Sequence, residues 1–399
     1  MRDSGSGFHP MTRRRFLTLG AFGLSAAAQA AVRRERRGEM AYRRLGRTDL
    51  MVSEVSLGGS PPPDEPLFSQ AMDLGINYVD TSPAYGEGSC ERLVGKMIRD
   101  RRDRFYVTGK VFAQPGASAA ADYVASVEAT LERMRTDYLD ILQIHGAERA
   151  TEHQDAEILE AFRTLKEQGK IRFAGLTCHT DPVAVLEPAI RSGHYDVVTI
   201  AYNAYLDAQP SGKGTDYLGQ CGIAQLIALA NQHDVGVIAM KTLKCEKVQD
   251  LSAFTGEGSS MAQAMLKWAL SNPGVSAVIT EMLTEEQLLE DAAVSAQELT
   301  EPEARALRRY VAHTSPAICR SCGACARHCP ASIRIPDVLR FASYALGQGK
   351  PARGRALYAG LPREQSAVAC QRCGTCREAC PFGLDTPALL AQAHRVLVG

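Results

Sequence analysis

The chain has 399 residues, with 45 Lys and Arg against 45 Asp and Glu and 45% hydrophobic residues. That length suffices for two domains, and a formal charge of zero gives no sign of nucleic acid as a partner. Beyond the first thirty residues no stretch is apolar and long enough to span a bilayer.

The chain opens with Thr12-Arg13-Arg14-Arg15-Phe16-Leu17, a mildly apolar run over 18–28, and Ala28-Gln29-Ala30. A basic patch, an apolar run and an A-x-A site are the three parts of an export signal. The paired arginines before Phe-Leu resemble the twin-arginine class. Residues 1–38 are therefore expected to be a signal peptide and linker, cleaved near Ala30, with a periplasmic mature protein. A solvated basic arm on a cytoplasmic protein is the alternative. The arginine-rich run 33–37 reads as a solvated linker.

From 39 to 311 the chain alternates between β-rich and helical stretches. Strands are predicted at 55–57, 77–80, 105–110, 139–145, 173–177, 197–202, 235–241 and 277–279, with helices between them at 121–133, 156–168 and 261–270. Eight such units in about 270 residues predict a (β/α)8 TIM barrel, an α/β fold. Several strands are nearly continuous apolar runs, as a parallel sheet covered by helices requires. A doubly wound open sheet is disfavoured, because no G-x-G-x-x-G loop follows the first strand.

In such a barrel chemistry gathers where strands end and βα loops begin. Those positions hold Asp80, Tyr85, Lys110 and His145. A carbonyl accepting hydride develops negative charge on oxygen and needs a proton there. Tyr85 can supply it, with the Lys110 ammonium lowering the phenol pKa. Asp80 would hold Lys110 charged, and His145 could donate to the substrate oxygen. Each residue alone has a structural explanation, as a cap, a packing lid or a satisfied core histidine; their joint placement is what points to catalysis.

The run Gly75-Ile76-Asn77-Tyr78-Val79-Asp80-Thr81-Ser82-Pro83-Ala84-Tyr85-Gly86 resembles the glycine-to-tyrosine signature of the aldo/keto reductases. Thr108-Gly109-Lys110 and Gln143-Ile144-His145 resemble the segments that carry that family's lysine and histidine. The stretch 261–275 is similar to its seventh helix, and 42–57 to its N-terminal hairpin and first strand. The resemblance implies a small carbonyl/alcohol substrate and a nicotinamide, NAD(P)H, held near Thr177, Cys178, His179 and Asn203, with Lys241 and Thr242 bordering the pyrophosphate. NADPH-preferring relatives place basic residues after strand eight; here Thr280-Glu281-Met282-Leu283-Thr284-Glu285-Glu286-Gln287 has none, and its carboxylates would repel a 2′-phosphate. Asp291 stands where those relatives carry an asparagine.

From 312 to 399 the cysteines take over. Cys319, Cys322, Cys325 and Cys329-Pro330 form C-x2-C-x2-C-x3-C-P, and Cys370, Cys373, Cys376 and Cys380-Pro381 repeat it. This is the ligand run of bacterial-type [4Fe–4S] proteins, in which three cysteines hold one cluster and the fourth reaches across to the other. Cys319, Cys322, Cys325 and Cys380 are expected on one cluster, and Cys370, Cys373, Cys376 and Cys329 on the second. Disulfides or zinc would not require a duplicated four-cysteine run. Helices are predicted at 335–346, 363–369 and 386–396, so this end reads as a small, mainly α-helical ferredoxin domain. The remaining cysteines, Cys90, Cys178, Cys221 and Cys245, read as buried thiols of the barrel.

The whole predicts an exported iron–sulfur oxidoreductase that acts on a small carbonyl/alcohol pair and exchanges electrons with a redox partner protein. The alternative is an electron-transfer or redox-sensing protein whose barrel binds no nicotinamide.

Overall fold

Eight parallel strands close into a barrel: β4 (Val55–Gly58), β5 (Tyr78–Asp80), β6 (Tyr106–Val111), β7 (Leu139–Ala147), β8 (Ile171–Cys178), β9 (Val197–Ala201), β10 (Gly236–Met240) and β11 (Ala277–Thr280). β11 returns to pair with β4, so no sheet edge is left open. This is a computed structural model, and it describes residues 33–114, 116–147, 149, 151–207, 222–243, 254 and 259–399. The proposed signal segment, with Arg13, Arg14 and Ala30, lies outside the described residues, as do Cys221 and Cys245.

The outer helices form where apolar residues recur on one face. In α4 (Ala156–Glu167) Ile158, Ala161, Phe162 and Leu165 are the buried positions, and Asp155 caps the start by accepting from the Glu157 and Ile158 amides. α7 (Met261–Leu270) starts with a capping box between Ser260 and Gln263. No helix among the described residues is long and apolar enough to cross a membrane.

A small antiparallel sheet precedes the barrel: β1 (Arg34–Arg37), β2 (Met40–Arg44) and β3 (Met51–Ser53), in that order. The arginine-rich run expected as a linker is thus largely an edge strand, paired to β2 from Arg34 to Arg37. Its charged side chains stay outside while its backbone fills the ladder, which a reading by charge alone misses. Leu45, Leu50 and Val52 pack with Tyr78, Ile141, Val197, Ile238 and Ala277, plugging one end of the barrel. Arg43 locks this plug. Its guanidinium donates to the carbonyls of Leu270 and Val275, both at 2.9 Å, and to Glu54 Oε1 at 2.6 Å.

The chain leaves the barrel through α8 (Glu285–Ala292) and α9 (Glu301–Thr314). α9 runs unbroken across residues 311 and 312 to Thr314. Leu307, Tyr310, Val311 and Ile318 pack with Tyr205, Met261 and Met265 of the barrel, which explains why the helix continues. The cysteine-rich end follows: α10 (Ala324–Arg327), α11 (Ile335–Leu346), α12 (Pro351–Ala359), α13 (Thr375–Glu378) and α14 (Thr386–Val398). Ile335, Val338, Phe341, Tyr358, Leu390 and Leu397 belong to its core. The helix expected over 363–369 is instead two short 3-10 turns, Arg363–Gln365 and Ala367–Ala369. α12 was not legible, because it buries only Gly354 and Tyr358 and so carries no apolar stripe. Gly354 lets it cross α11 closely: a Cβ there would meet the Phe341 carbonyl oxygen at 2.5 Å.

Glu54 is 1% exposed and answers three donors: Arg43, the Arg34 guanidinium at 3.1 Å and the Ala296 amide at 2.9 Å. Replacing it with Gln leaves Arg43 buried without its counter-charge. We expect Glu54→Gln to cost about 3–5 kcal/mol in urea unfolding; a loss below about 1 kcal/mol would remove this pair as the lock of the plug.

Candidate active site at the barrel mouth and two cysteine-lined cavities

Asp80 ends β5 and Lys110 lies one residue before the end of β6, so the two face each other across neighbouring strand ends. The Lys110 ammonium donates to Asp80 Oδ2 at 2.6 Å, to the Thr81 carbonyl at 2.8 Å and to the Tyr85 hydroxyl at 3.3 Å. His145 stands in a bulge of β7, where pairing with β8 shifts between Ile144 and Ala147 and Gly146 takes φ of 66°. Such a bulge re-aims a side chain at the rim of a barrel. The His145 and Tyr85 rings meet edge to face with centroids 5.6 Å apart. Asp80, Tyr85 and His145 all line one cavity of about 1390 Å3, with Lys110 buried behind them.

Two neighbours of His145 had no role in the sequence reading. Ser82 Oγ lies 3.0 Å from Nδ1, and Phe112 stacks on the ring at 4.6 Å. Ser82 sits inside the run that drew attention to Tyr85, so its position was legible; nothing in the sequence pairs it with β7.

Burial dominates the electrostatics. It pushes the Asp80 carboxyl up and the Lys110 ammonium down, each opposed by the other's charge. Tyr85 is raised well above the ordinary phenol value, first by burial and then by the Asp80 charge. The expectation that Lys110 lowers the phenol pKa is therefore corrected: desolvation of a phenolate outweighs an ammonium already committed to Asp80. His145 is pushed down to about 3, by burial and then by the charges of Lys110 and Arg340. The mouth thus presents a neutral phenol and a neutral imidazole, both able to donate a proton or a hydrogen bond.

The residues expected at a nicotinamide divide in two. His179, Asn203, Lys241 and Thr242 line the cavity. Lys241 Nζ is 3.0 Å from His179 Nδ1, and Asn203 donates to the Lys241 carbonyl at 3.2 Å. The Thr242 hydroxyl is buried with no partner. Thr177 and Cys178 do not line the cavity. Thr177 Oγ1 accepts from the Gly146 amide at 2.6 Å, securing the bulge, and the Cys178 thiol donates to the Thr180 carbonyl at 3.1 Å. Burial raises that thiol to about 12, so it stays protonated. Cys90 is likewise buried, accepting from Thr81 Oγ1 at 3.1 Å. Asp291 lies outside the cavity too, buried on α8 with its carboxyl raised to about 7.

The cysteine-rich end forms one wall of the cavity at the mouth. Its Arg340, Tyr344 and Arg353 line the same cavity as Tyr85. It docks through Arg353, which donates to the Ser60 carbonyl at 2.8 Å, through ion pairs of Lys350 with Glu281 and Arg327 with Asp181, and through the Asp181 amide donating to the Ser321 carbonyl at 3.0 Å.

Two further cavities lie within that end. Cys319, Cys322, Cys325 and Cys380 line one; Cys329, Cys370, Cys373 and Cys376 line the other. The backbone around them is duplicated. Ser321 and Arg372, each before the second cysteine of its run, have φ of 56°, and Gly323 and Gly374 follow at 77° and 82°. A short helix then presents the third cysteine, on α10 and on α13. All ten described cysteines are free thiols. Among the described residues no three His, Cys, Asp or Glu gather to hold a metal ion; each set of thiols instead surrounds a space. Arg320 lines both the first of these cavities and the large one at the mouth.

Residues 64–250 match the family model described as the aldo/keto reductase family. The chain is 27% identical to the uncharacterized oxidoreductase YqkF of Bacillus subtilis, over 68% of this chain and 96% of that one. It is 28% identical to the L-galactose dehydrogenase of Arabidopsis thaliana, over 63% and 86%. Among solved structures it is similar to an aldo-keto reductase from Klebsiella pneumoniae in complex with NADPH, at 25% identity and a TM-score of 0.51, covering 68% of this chain and 95% of that one.

With its pKa pushed to about 3, His145 is neutral above roughly pH 4. Its imidazole resonances should show no titration between pH 5 and 8 in NMR assigned by His145→Gln; a midpoint near the ordinary histidine value of about 6.5 would contradict the burial argument.

Proposed function

We propose that this chain, whose barrel is an aldo/keto reductase family domain, is an oxidoreductase that interconverts a small carbonyl and its alcohol at the mouth described above. The observation that carries the reading is the Tyr85 hydroxyl, 3.3 Å from an ammonium that Asp80 holds at 2.6 Å, facing the large cavity beside His145. Tyr85, kept protonated by burial, gives its proton to the carbonyl oxygen as negative charge develops there. Lys110 then stabilises the phenolate left behind, and Asp80 keeps Lys110 in place. His145, held by Ser82 and stacked on Phe112, donates to the same oxygen. In the alcohol-to-carbonyl direction the same groups act in reverse.

A reduced nicotinamide supplies hydride when bound. His179, Asn203, Lys241 and Thr242 would hold it, and the partnerless Thr242 hydroxyl fits a ligand that brings a polar group to that point. The Klebsiella structure is in complex with NADPH, which supports a nicotinamide as the cofactor but does not bear on which residues hold it. Two [4Fe–4S] clusters would supply one-electron storage and exchange with a redox partner protein. Their support is the pair of four-thiol cavities and the duplicated turns around them. Cys373 is exposed, which leaves the outer set open to such a partner, while Arg320 stands between the inner set and the mouth. The Arg13-Arg14 segment supports export by the twin-arginine route to the periplasm.

The test is an anaerobic titration of the full, iron-loaded chain with NADH and NADPH, followed by carbonyl turnover in wild type and Tyr85→Phe. Turnover should fall by about 100-fold or more in Tyr85→Phe, with bound iron and sulfide unchanged. Equal turnover in the two proteins would end the role of Tyr85. In the same protein Cys322→Ser and Cys373→Ser should each lower iron and acid-labile sulfide; full iron content in both would rule out these thiols as ligands.

A further inference from the structure

The large cavity is not a barrel pocket alone. One wall is the mouth, with Tyr85 and His145, and the other is the cysteine-rich end. The charges on the two walls do not cancel. On the barrel side the carboxylates are committed: Asp80 to Lys110, Glu152 to Arg149 at 3.2 Å, and Glu281 to Lys350. On the other side Arg320, Arg334, Arg340, Lys350 and Arg353 line the cavity, and no Asp or Glu of that wall does.

Arg340 and Arg353 are the two that reach the reactive groups. The Arg340 charge acts on both His145 and His179, and the Arg353 charge on Tyr85. Arg340 is braced by Asp337 Oδ1 at 2.6 Å and by the Tyr344 hydroxyl, and Asp337 also accepts from Arg334 at 2.8 Å. The Arg340 Nε is buried with no partner. Arg353 gives one bond to the Ser60 carbonyl and stacks on the Tyr344 ring at 4.7 Å. A guanidinium held in place with donor capacity left over on a cavity wall favours a planar or tetrahedral anion.

We propose that the cysteine-rich end completes the substrate pocket, and that Arg340 and Arg353 select a small carbonyl or alcohol substrate that carries a carboxylate or phosphate group. The proposal rests on the carbonyl/alcohol reading above, which it deepens by adding the substrate's charge. The anion lies on the α11–α12 wall and the carbonyl at Tyr85, so the two groups belong to one small molecule spanning the cavity. Arg340 and Arg353 position that molecule; they take no part in proton transfer.

The experiment compares matched pairs on the full, iron-loaded chain with reduced nicotinamide or reduced methyl viologen as donor: succinic semialdehyde against butanal, and glyceraldehyde 3-phosphate against glyceraldehyde. Wild type should prefer one charged member by about tenfold or more in kcat/KM, and which pair shows it separates carboxylate from phosphate. Arg340→Gln should abolish that preference through a rise in KM for the charged member, with Arg340→Lys recovering part of it. Arg353→Gln is the second variant should Arg340→Gln unfold. Calorimetric titration with butyrate, inorganic phosphate and butyramide reads the same site without turnover, and one of the two anions should bind about tenfold more weakly to Arg340→Gln. Equal use of charged and neutral carbonyls, with neither anion bound, would overturn the anion site and keep the carbonyl reading. Arg340-dependent anion binding with no carbonyl turned over would keep the anion site and overturn the carbonyl reading. A loss in Arg340→Gln that follows NADPH affinity alone would assign the arginines to the nucleotide and overturn the proposal.

Discussion

A buried ammonium organises the mouth of this barrel. Lys110 is 3% exposed and cannot stay charged there without a partner at hydrogen-bond distance. Asp80 is that partner, and the requirement ties the end of β5 to β6. It also draws the loop after β5 inward, because the Thr81 carbonyl and the Tyr85 hydroxyl complete the ammonium's bonds. With Tyr85 placed, His145 follows from the bulge on β7 and the seat made by Ser82 and Phe112. Burial that makes the pair necessary also keeps the phenol and the imidazole neutral. Both groups therefore carry a proton that can be donated to a neighbouring acceptor.

The second wall changes what such a barrel can do. A mouth built from βα loops alone opens to solvent, where screening weakens every charge. Here residues of the cysteine-rich end line it too, and that end is held to the rim by two ion pairs and two hydrogen bonds to backbone carbonyls. The Lys350–Glu281 pair also answers the acidic run after the eighth strand. Its carboxylate, repulsive to phosphate when judged alone, is neutralised by a lysine some seventy residues further on.

The cysteine-rich end is itself a repeat. Each half is a left-handed turn, a short helix carrying the third cysteine, a proline after the fourth and a longer helix with proline in its first turn. Each fourth cysteine lines the cavity of the opposite half. The halves are thereby interleaved, and neither four-thiol cavity is complete without the other.

The sequence by itself determined the barrel, strand by strand, because a parallel sheet covered by helices leaves apolar runs of strand length between helical periods. It determined the identities of the mouth residues, since strand ends are countable from those runs, and the two cysteine sets, since their spacing is local. Four things were decided only by the tertiary structure. Arg34–Arg37 became a strand because β2 offered a ladder. α12 formed although it lacks an apolar stripe, because it crosses α11 at Gly354. The Tyr85 phenol moved up rather than down, because desolvation depends on what surrounds a group and not on its neighbours in the chain. Arg340 and Arg353 reached the barrel mouth from some 250 residues away, on the cysteine-rich end of the chain. Local pattern carries the period of a strand or the spacing of ligands; the charge inside a cavity is a sum over elements that meet only once the chain has folded.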